Sequence, residues 1–297
     1  MTVTVELVSG DTTLNINDGT NYRLQSVNGL GLPPVNRLTE SGPLQDGVFD
    51  LGFRYQPRTV NLIITMLDTT ESGYYAKRRY LGSLLKPRNT PIYLRVTTPD
   101  GNVYQLDTYY NDGYGLNTAD KVGPYGHRVP VSLVAPNPIL YNPSQQVYSY
   151  IVGATAGSGF GFPIGFPVGF GSSTINTTQV ISYDGDYPAS PIIQLYGPIT
   201  SPVITNVTSG EVLDLTGTTI ADGDYYTIDT RYGYIAVTDS LGANKIDKLV
   251  GQSNLSGFNL IPHPDAINGA NTIQVNGTGA NTHTIIYMRY YEQYTHL

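Results

Sequence analysis

The sequence predicts a mainly β protein with two domains and a single helix, and three observations carry that prediction. The 33 Gly and 20 Pro make up about 18% of the 297 residues, enough to break helices but below the roughly 25–30% that marks low-complexity disorder. Only 13% of residues are charged while 40% are hydrophobic, so the chain can fill one or two packed cores. Finally, there are 25 Tyr and no Trp, and Tyr suits strands, where the ring packs and the hydroxyl reaches water.

Along the first part, short apolar or alternating segments lie between Gly, Pro, Asn and Asp turns. They predict strands over Thr2–Val8, Asn21–Val27, Val60–Leu67, Ile92–Thr97, Val103–Tyr110 and Val129–Val134. The segment Thr70–Lys86 departs from this pattern, because Tyr74, Leu81 and Leu85 fall on one stripe at 3.6 residues per turn, with Leu84 beside it. A helix is predicted there, capped by Thr69 or Thr70, with Glu71 at its positive end and Lys86-Pro87 closing it.

Gly153–Ser173 follows, a Gly-rich tract with four of the seven Phe, at Phe160, Phe162, Phe166 and Phe170. A bare tether needs no such rings, whereas Phe between Gly and Pro can lie extended and anchor on a neighbouring surface. Both readings are open, and domains over 1–150 and 177–297 joined by a linker over 151–176 are expected. Charge divides at the same place. Residues 1–176 carry 12 Lys plus Arg and 12 Asp plus Glu, residues 177–297 carry 4 and 11, and the second domain thus holds the whole net charge of −7.

Beyond the tract, strands are predicted over Gln179–Tyr183, Ile192–Tyr196, Val203–Asn206, Glu211–Leu215, Tyr225–Asp229, Tyr234–Thr238, Thr272–Val275 and Thr284–Tyr291. Eight strands at this spacing predict a β-sandwich.

The composition speaks against most chemistry. With no Cys there is no disulfide scaffold, thiolate zinc site or thiol nucleophile, and the four His, at 127, 263, 283 and 296, have no metal-ligand spacing. No P-loop, dinucleotide fingerprint or GxSxG elbow marks a cofactor or nucleophile, so no enzyme, no cofactor and no metal are expected. Asp184-Gly-Asp186, Asp222-Gly-Asp224 and Asp229 fit tight turns first and calcium or a carboxylate pair second. The amino terminus alternates Val3, Val5, Leu7 with Thr4 and Glu6, and no apolar run reaches 18 residues, so a chain made in the cytoplasm without membrane insertion is expected.

Two residue groups are candidate binding surfaces. Lys77, Arg78 and Arg79 on the helix, with Arg54 and Arg58 nearby in sequence, suit a subunit interface, a solvated face or nucleic acid, and the net acidity of the chain disfavours the last. Tyr225, Tyr226, Tyr232 and Tyr234 cluster in sequence as a candidate glycan platform, but Tyr232 and Tyr234 alternate as on one face of a strand, which favours a core over a platform for them.

Gly42-Pro-Leu-Gln-Asp-Gly47, then Arg54-Tyr-Gln-Pro-Arg58 through Ile64, the helix segment Arg78-Arg-Tyr-Leu81 through Pro87, and Ile92-Tyr-Leu94 resemble, in order and spacing, the amino-terminal domain of siphophage distal tail (Dit) proteins. The repeat Gly161-Phe-Pro-Ile-Gly-Phe-Pro-Val-Gly-Phe170 is similar to the Phe-Pro repeats many of them carry between domains. Pro191–Pro198, Gly269–Ile273 and Tyr287–Tyr291 are similar to their carboxy-terminal galectin-like sandwich. The resemblance implies a β-barrel-like or split-barrel amino-terminal domain and a galectin-like second domain. It further implies a homo-oligomeric ring, usually of six, between the tail tube protein above and the tip or hub protein below, around the DNA channel. The protein is then a virion structural component assembled in the host cytoplasm, touching receptor-binding proteins or host glycans. The alternative is a carbohydrate-binding adhesin.

Overall fold

The computed structural model describes residues 3–43, 46–115, 120–152 and 174–297. The chain divides into a first unit of residues 1–143 and 294–297 and a second of residues 144–293.

In the first unit the sheet runs β2 (Thr12–Asn15), β1 (Thr4–Ser9), β7 (Ile92–Thr97), β8 (Val103–Asp112), β9 (Gly126–Ala135), β6 (Arg58–Leu67), β3 (Tyr22–Asn28). Two short strands, β10 (Leu140–Tyr141) and β21 (Gln293–Tyr294), extend it off this path. The order is open: β2 and β3 end it without meeting, so the barrel-like expectation is realised as an unclosed sheet.

Period-two patterning sets the register. Val60, Leu62, Ile64 and Met66 of β6 are buried, as are Val129, Val131 and Leu133 of β9, Ile92, Leu94 and Val96 of β7, and Val5 and Leu7 of β1. A one-residue slip would turn each of these sets to solvent, which is why the pairing is well specified. The only α-helix among the described residues, α1 (Glu71–Leu85), joins the same core through Leu81, Leu84 and Leu85, with Tyr74 packed at its margin. Each of these leucines contributes about 2 kcal/mol by burial. The helix starts as expected, since the Thr70 hydroxyl accepts from the Gly73 N–H at 3.1 Å and Glu71 sits in the first turn.

The second unit is a two-sheet sandwich. One sheet runs β11 (Gln146–Ile151), β20 (Ile285–Tyr290), β13 (Ile192–Tyr196), β17 (Tyr225–Asp229), β18 (Ala236–Asp239). The other runs β12 (Thr174–Ser182), β19 (Ala270–Thr278), β14 (Ile199–Asn206), β15 (Glu211–Asp214), with β16 (Thr219–Ile220) beside β14. Ile193, Leu195, Ile228, Ile286 and Met288 from the first sheet share one core with Ile181, Ile204, Leu213, Ile273 and Val275 from the second.

The division differs from the expected one in two places. Strand β11 lies before the Gly-rich tract yet pairs with β20, residue by residue from Gln146↔Tyr290 to Ile151↔Ile285, so it belongs to the sandwich. The tract therefore joins β11 to β12 inside the second unit instead of joining the two units. Residues 294–297 count with the first unit, so the chain passes between the units at 143–144 and again at 293–294.

Candidate assembly surface

One pair of strands stands apart from both sheet systems. Among the described residues β4 (Val35–Glu40) and β5 (Phe49–Tyr55) pair only with each other, from Val35↔Tyr55 to Glu40↔Phe49, with a bulge between Leu38 and Thr39. Gly52, opposite Leu38 at that bulge, has φ +109°, a region open to glycine and strained for other residues. Every residue of β4 is exposed, and along β5 so are Phe49, Asp50, Leu51, Phe53 and Arg54. Phe49 is 59% exposed, Leu51 60% and Phe53 52%, with Val48 at 60% just before them.

Such an arm has few means of holding itself. An Arg37–Asp50 ion pair crosses it, Phe53 meets Tyr55 edge-on at 5.3 Å, and Gln56 N–H donates to the Pro34 carbonyl at 2.8 Å at its base. A two-stranded hairpin is marginal in water, and contiguous exposed apolar side chains mark interaction sites. The arm therefore presents exposed apolar side chains of the kind that interaction surfaces carry.

The five basic residues expected at an interface separate into different environments. Arg54 is exposed on the arm and Arg79 exposed on the helix, while Arg78 is half-buried with its guanidinium 6.0 Å from the Tyr75 ring centroid. Lys77 is turned inward along its own chain, with Nζ 2.7 Å from Asp68 Oδ2 and donating to the Leu67 carbonyl at 2.7 Å. Asp68 also accepts from the Thr69 and Thr70 N–H groups, and the Lys77 ammonium with these donors holds its carboxyl well below the usual range. Arg58 is 1% exposed, so it is a packing residue of the protomer and not a surface contact. Its guanidinium donates to the Gly29, Gly31 and Thr295 carbonyls, and burial lowers its pKa. The reason is parity: Arg58 lies on the same face of β6 as Val60, Leu62 and Ile64.

The four tyrosines of the expected glycan platform do not form one surface. Tyr226 faces the sandwich core at 9% exposure, and Tyr225, one residue earlier, faces the other way. Tyr232 and Tyr234 occupy the turn between β17 and β18, closed by Tyr234 N–H to the Arg231 carbonyl, and are 96% and 68% exposed. The core alternative for these two fails because the chain turns there and forms no strand. The Arg231 guanidinium sits 4.9 Å from the Tyr234 ring and is paired with Asp229 at 2.8 Å. The Phe160, Phe162, Phe166 and Phe170 anchors lie outside the described residues.

Of the Asp-Gly-Asp segments, 222–224 is a tight turn, with Asp224 N–H donating to the Ala221 carbonyl and Gly223 at φ +87°. Gly185 has a different reason, since a Cβ there would lie 2.2 Å from the Tyr183 hydroxyl. Among the described residues no cluster of three His, Asp or Glu is placed to hold a metal ion.

The arm was absent from the strands predicted above. Its signal was present: Phe49, Leu51, Phe53 and Tyr55 alternate with Asp50, Gly52 and Arg54.

Residues 14–123 match the family model of the phage tail protein RIFT-related domain. Over the whole chain the fold is similar to the crystal structure of the phage SPP1 Dit (gp 19.1) protein, described as a paradigm of the hub adsorption apparatus in phages infecting Gram-positive bacteria. The identity is 13%, the TM-score 0.63, and 99% of each chain is covered. It is also similar to a chain of the phage P2 baseplate in its activated conformation with Ca, at 10% identity and TM-score 0.50 over 100% of each chain. A search of curated proteins finds no match to the sequence.

Proposed function

We propose that this chain, which carries a phage-tail RIFT-related domain and has the fold of a Dit protein, is a structural component of a phage tail, the distal hub that joins the tail tube to the tip. In this reading the protein acts by assembly and not by catalysis. It forms a closed ring, with the tail tube protein on one side and the tip proteins on the other, and it resides in the virion after assembly in the host cytoplasm.

The observation that carries the reading is the β4–β5 arm. A ring is a heterologous interface closed by rotation, and it needs on each subunit a projecting element and a receiving surface. The arm, with Phe49, Leu51 and Phe53 outward, supplies the projecting element, and exposed Arg54 gives it a fork for a neighbour's carboxylate. Light scattering on the eluting full-length protein, with negative-stain images, tests this. A ring of defined order is expected, and a strict monomer at high concentration would overturn it.

A second reading, contact with host glycans, is favoured by Tyr232 and Tyr234, which are exposed beside a paired arginine in the acidic second unit. Binding of the full chain to host cell-wall glycans tests it, and absence of binding across a broad panel removes it.

A further inference from the structure

We propose that the outward face of the β11–β20–β13–β17–β18 sheet binds a neutral saccharide, with Tyr196, Tyr225 and Tyr287 as its platform, Thr227 and Arg289 as its polar contacts and Gln194 as the residue that positions Thr227. The proposal rests on the glycan reading above and moves the site from the β17–β18 turn to the sheet.

Register brings these residues together. Tyr196 lies opposite Tyr225, and Gln194 lies opposite Thr227 on one side and Tyr287 on the other. Ile192 in turn lies opposite Arg289, so the six side chains occupy three adjacent central strands on the face away from the core residues Ile193, Leu195, Ile228, Ile286 and Met288. The rings touch: Tyr196 and Tyr225 centroids are 4.9 Å apart at 34°, and Tyr196 and Tyr287 are 5.6 Å apart at 71°. All three are half-buried, and they form a continuous aromatic surface whose hydroxyls make no hydrogen bond among the described residues.

Around that surface, hydrogen-bonding capacity is left open. The Gln194 amide donates to the Thr227 hydroxyl at 3.2 Å and fixes it in place, while the Gln194 Oε1 is itself shut from solvent, so Gln194 positions Thr227 without reaching the surface through that oxygen. Arg289 has no ion pair among the described residues, whereas Arg231 is occupied by Asp229. Aromatic faces beside hydroxyls and a guanidinium fit a ligand that offers C–H faces and hydroxyl groups together, which is a sugar ring. Charge narrows the class further. Residues 177–297 carry 4 Lys plus Arg against 11 Asp plus Glu, a field that repels polyanionic wall polymers and nucleic acid but not a neutral saccharide.

The test is saturation-transfer NMR on the full-length protein with a panel of neutral oligosaccharides built from hexoses and N-acetylhexosamines. At least one member is expected to bind, with affinity lowered tenfold or more by Tyr287→Ala and by Arg289→Ala, largely kept by Tyr287→Phe, and unchanged by the Tyr232→Ala, Tyr234→Ala pair. Loss confined to the Tyr232 and Tyr234 variants would overturn the sheet site while leaving glycan contact standing. No binding by the unaltered protein would overturn both. Unchanged thermal unfolding and light-scattering mass in each variant separate a lost contact from a lost fold, and Arg289→Ala stands in if Tyr287→Ala does not fold.

Discussion

The Arg58 guanidinium donates to the Thr295 carbonyl at 2.7 Å, a contact that closes the first unit across 237 residues of sequence. The same group holds Gly29 and Gly31, and Leu297 N–H donates to the Leu30 carbonyl between them. Arg58→Met leaves three carbonyls without this donor and is expected to destabilise the first unit by about 3 kcal/mol. Arg58→Lys should restore less than half of that, because an ammonium cannot span three acceptors as the planar fork does. Urea midpoints measure both, and an unchanged midpoint for the Met variant would refute the role.

The arm predicts a separation of stability from assembly. Phe49 and Phe53 are more than half exposed, so replacing both with Asp should change protomer stability by roughly 0.5 kcal/mol or less. The same double variant should fail to form the proposed ring in light scattering. A ring that persists would place the subunit contact elsewhere.

At the start of α1, Thr70→Ala removes the acceptor for the Gly73 N–H and should cost about 1 kcal/mol, with Thr70→Ser close to the original protein. Thermal unfolding monitored through Tyr absorbance reads the difference.

Two carboxylates should move stability with pH in opposite senses. The Asp68 pKa is lowered by the Lys77 hydrogen bond, so its contribution is present above the unfolded value near about 4 and is lost as pH falls through the folded value. Asp68→Asn should therefore destabilise at neutral pH, with a gap that narrows on strong acidification. The Asp107 pKa is raised by burial, only partly offset by the Tyr141 hydroxyl that donates to it at 2.7 Å. Its ionised form is disfavoured in the fold, a penalty fully relieved below the unfolded value and present above the folded one. Asp107→Asn should be neutral or stabilising at pH 7 and should lose any advantage in acid. Parallel pH dependence in the two variants would contradict this assignment.

Much of the architecture was legible from periodicity. Leu81 and Leu85 marked the helix, Val60, Leu62 and Ile64 the central strand, and the order of short words from Gly42 to Leu94 pointed to the phage-tail likeness that the family match and the Dit fold bear out. Residue type points Arg58 outward, but parity decides: the alternation of β6 turns it inward with Val60, Leu62 and Ile64. The alternation of Phe49, Leu51 and Phe53 carries the strand signal of β5, but alternation alone implies a face buried within the chain and gives no sign that these side chains stay exposed. Tyr232 and Tyr234 were misplaced by a two-residue offset, since β18 begins at Ala236. The pairing of β11 with β20 spans about 140 residues and follows no local pattern.

The return of residues 294–297 to the first unit also bears on biosynthesis. On a ribosome the sheet of the first unit emerges before the sandwich, and domains made early ordinarily fold while the remainder is translated. Here the Thr295 carbonyl that Arg58 requires is made 237 residues after Arg58, and the sandwich strands leave the exit tunnel before it. The first unit is therefore completed only after the sandwich, and a nascent chain that has not reached Thr295 presents its arm on a unit that still lacks its closing contact.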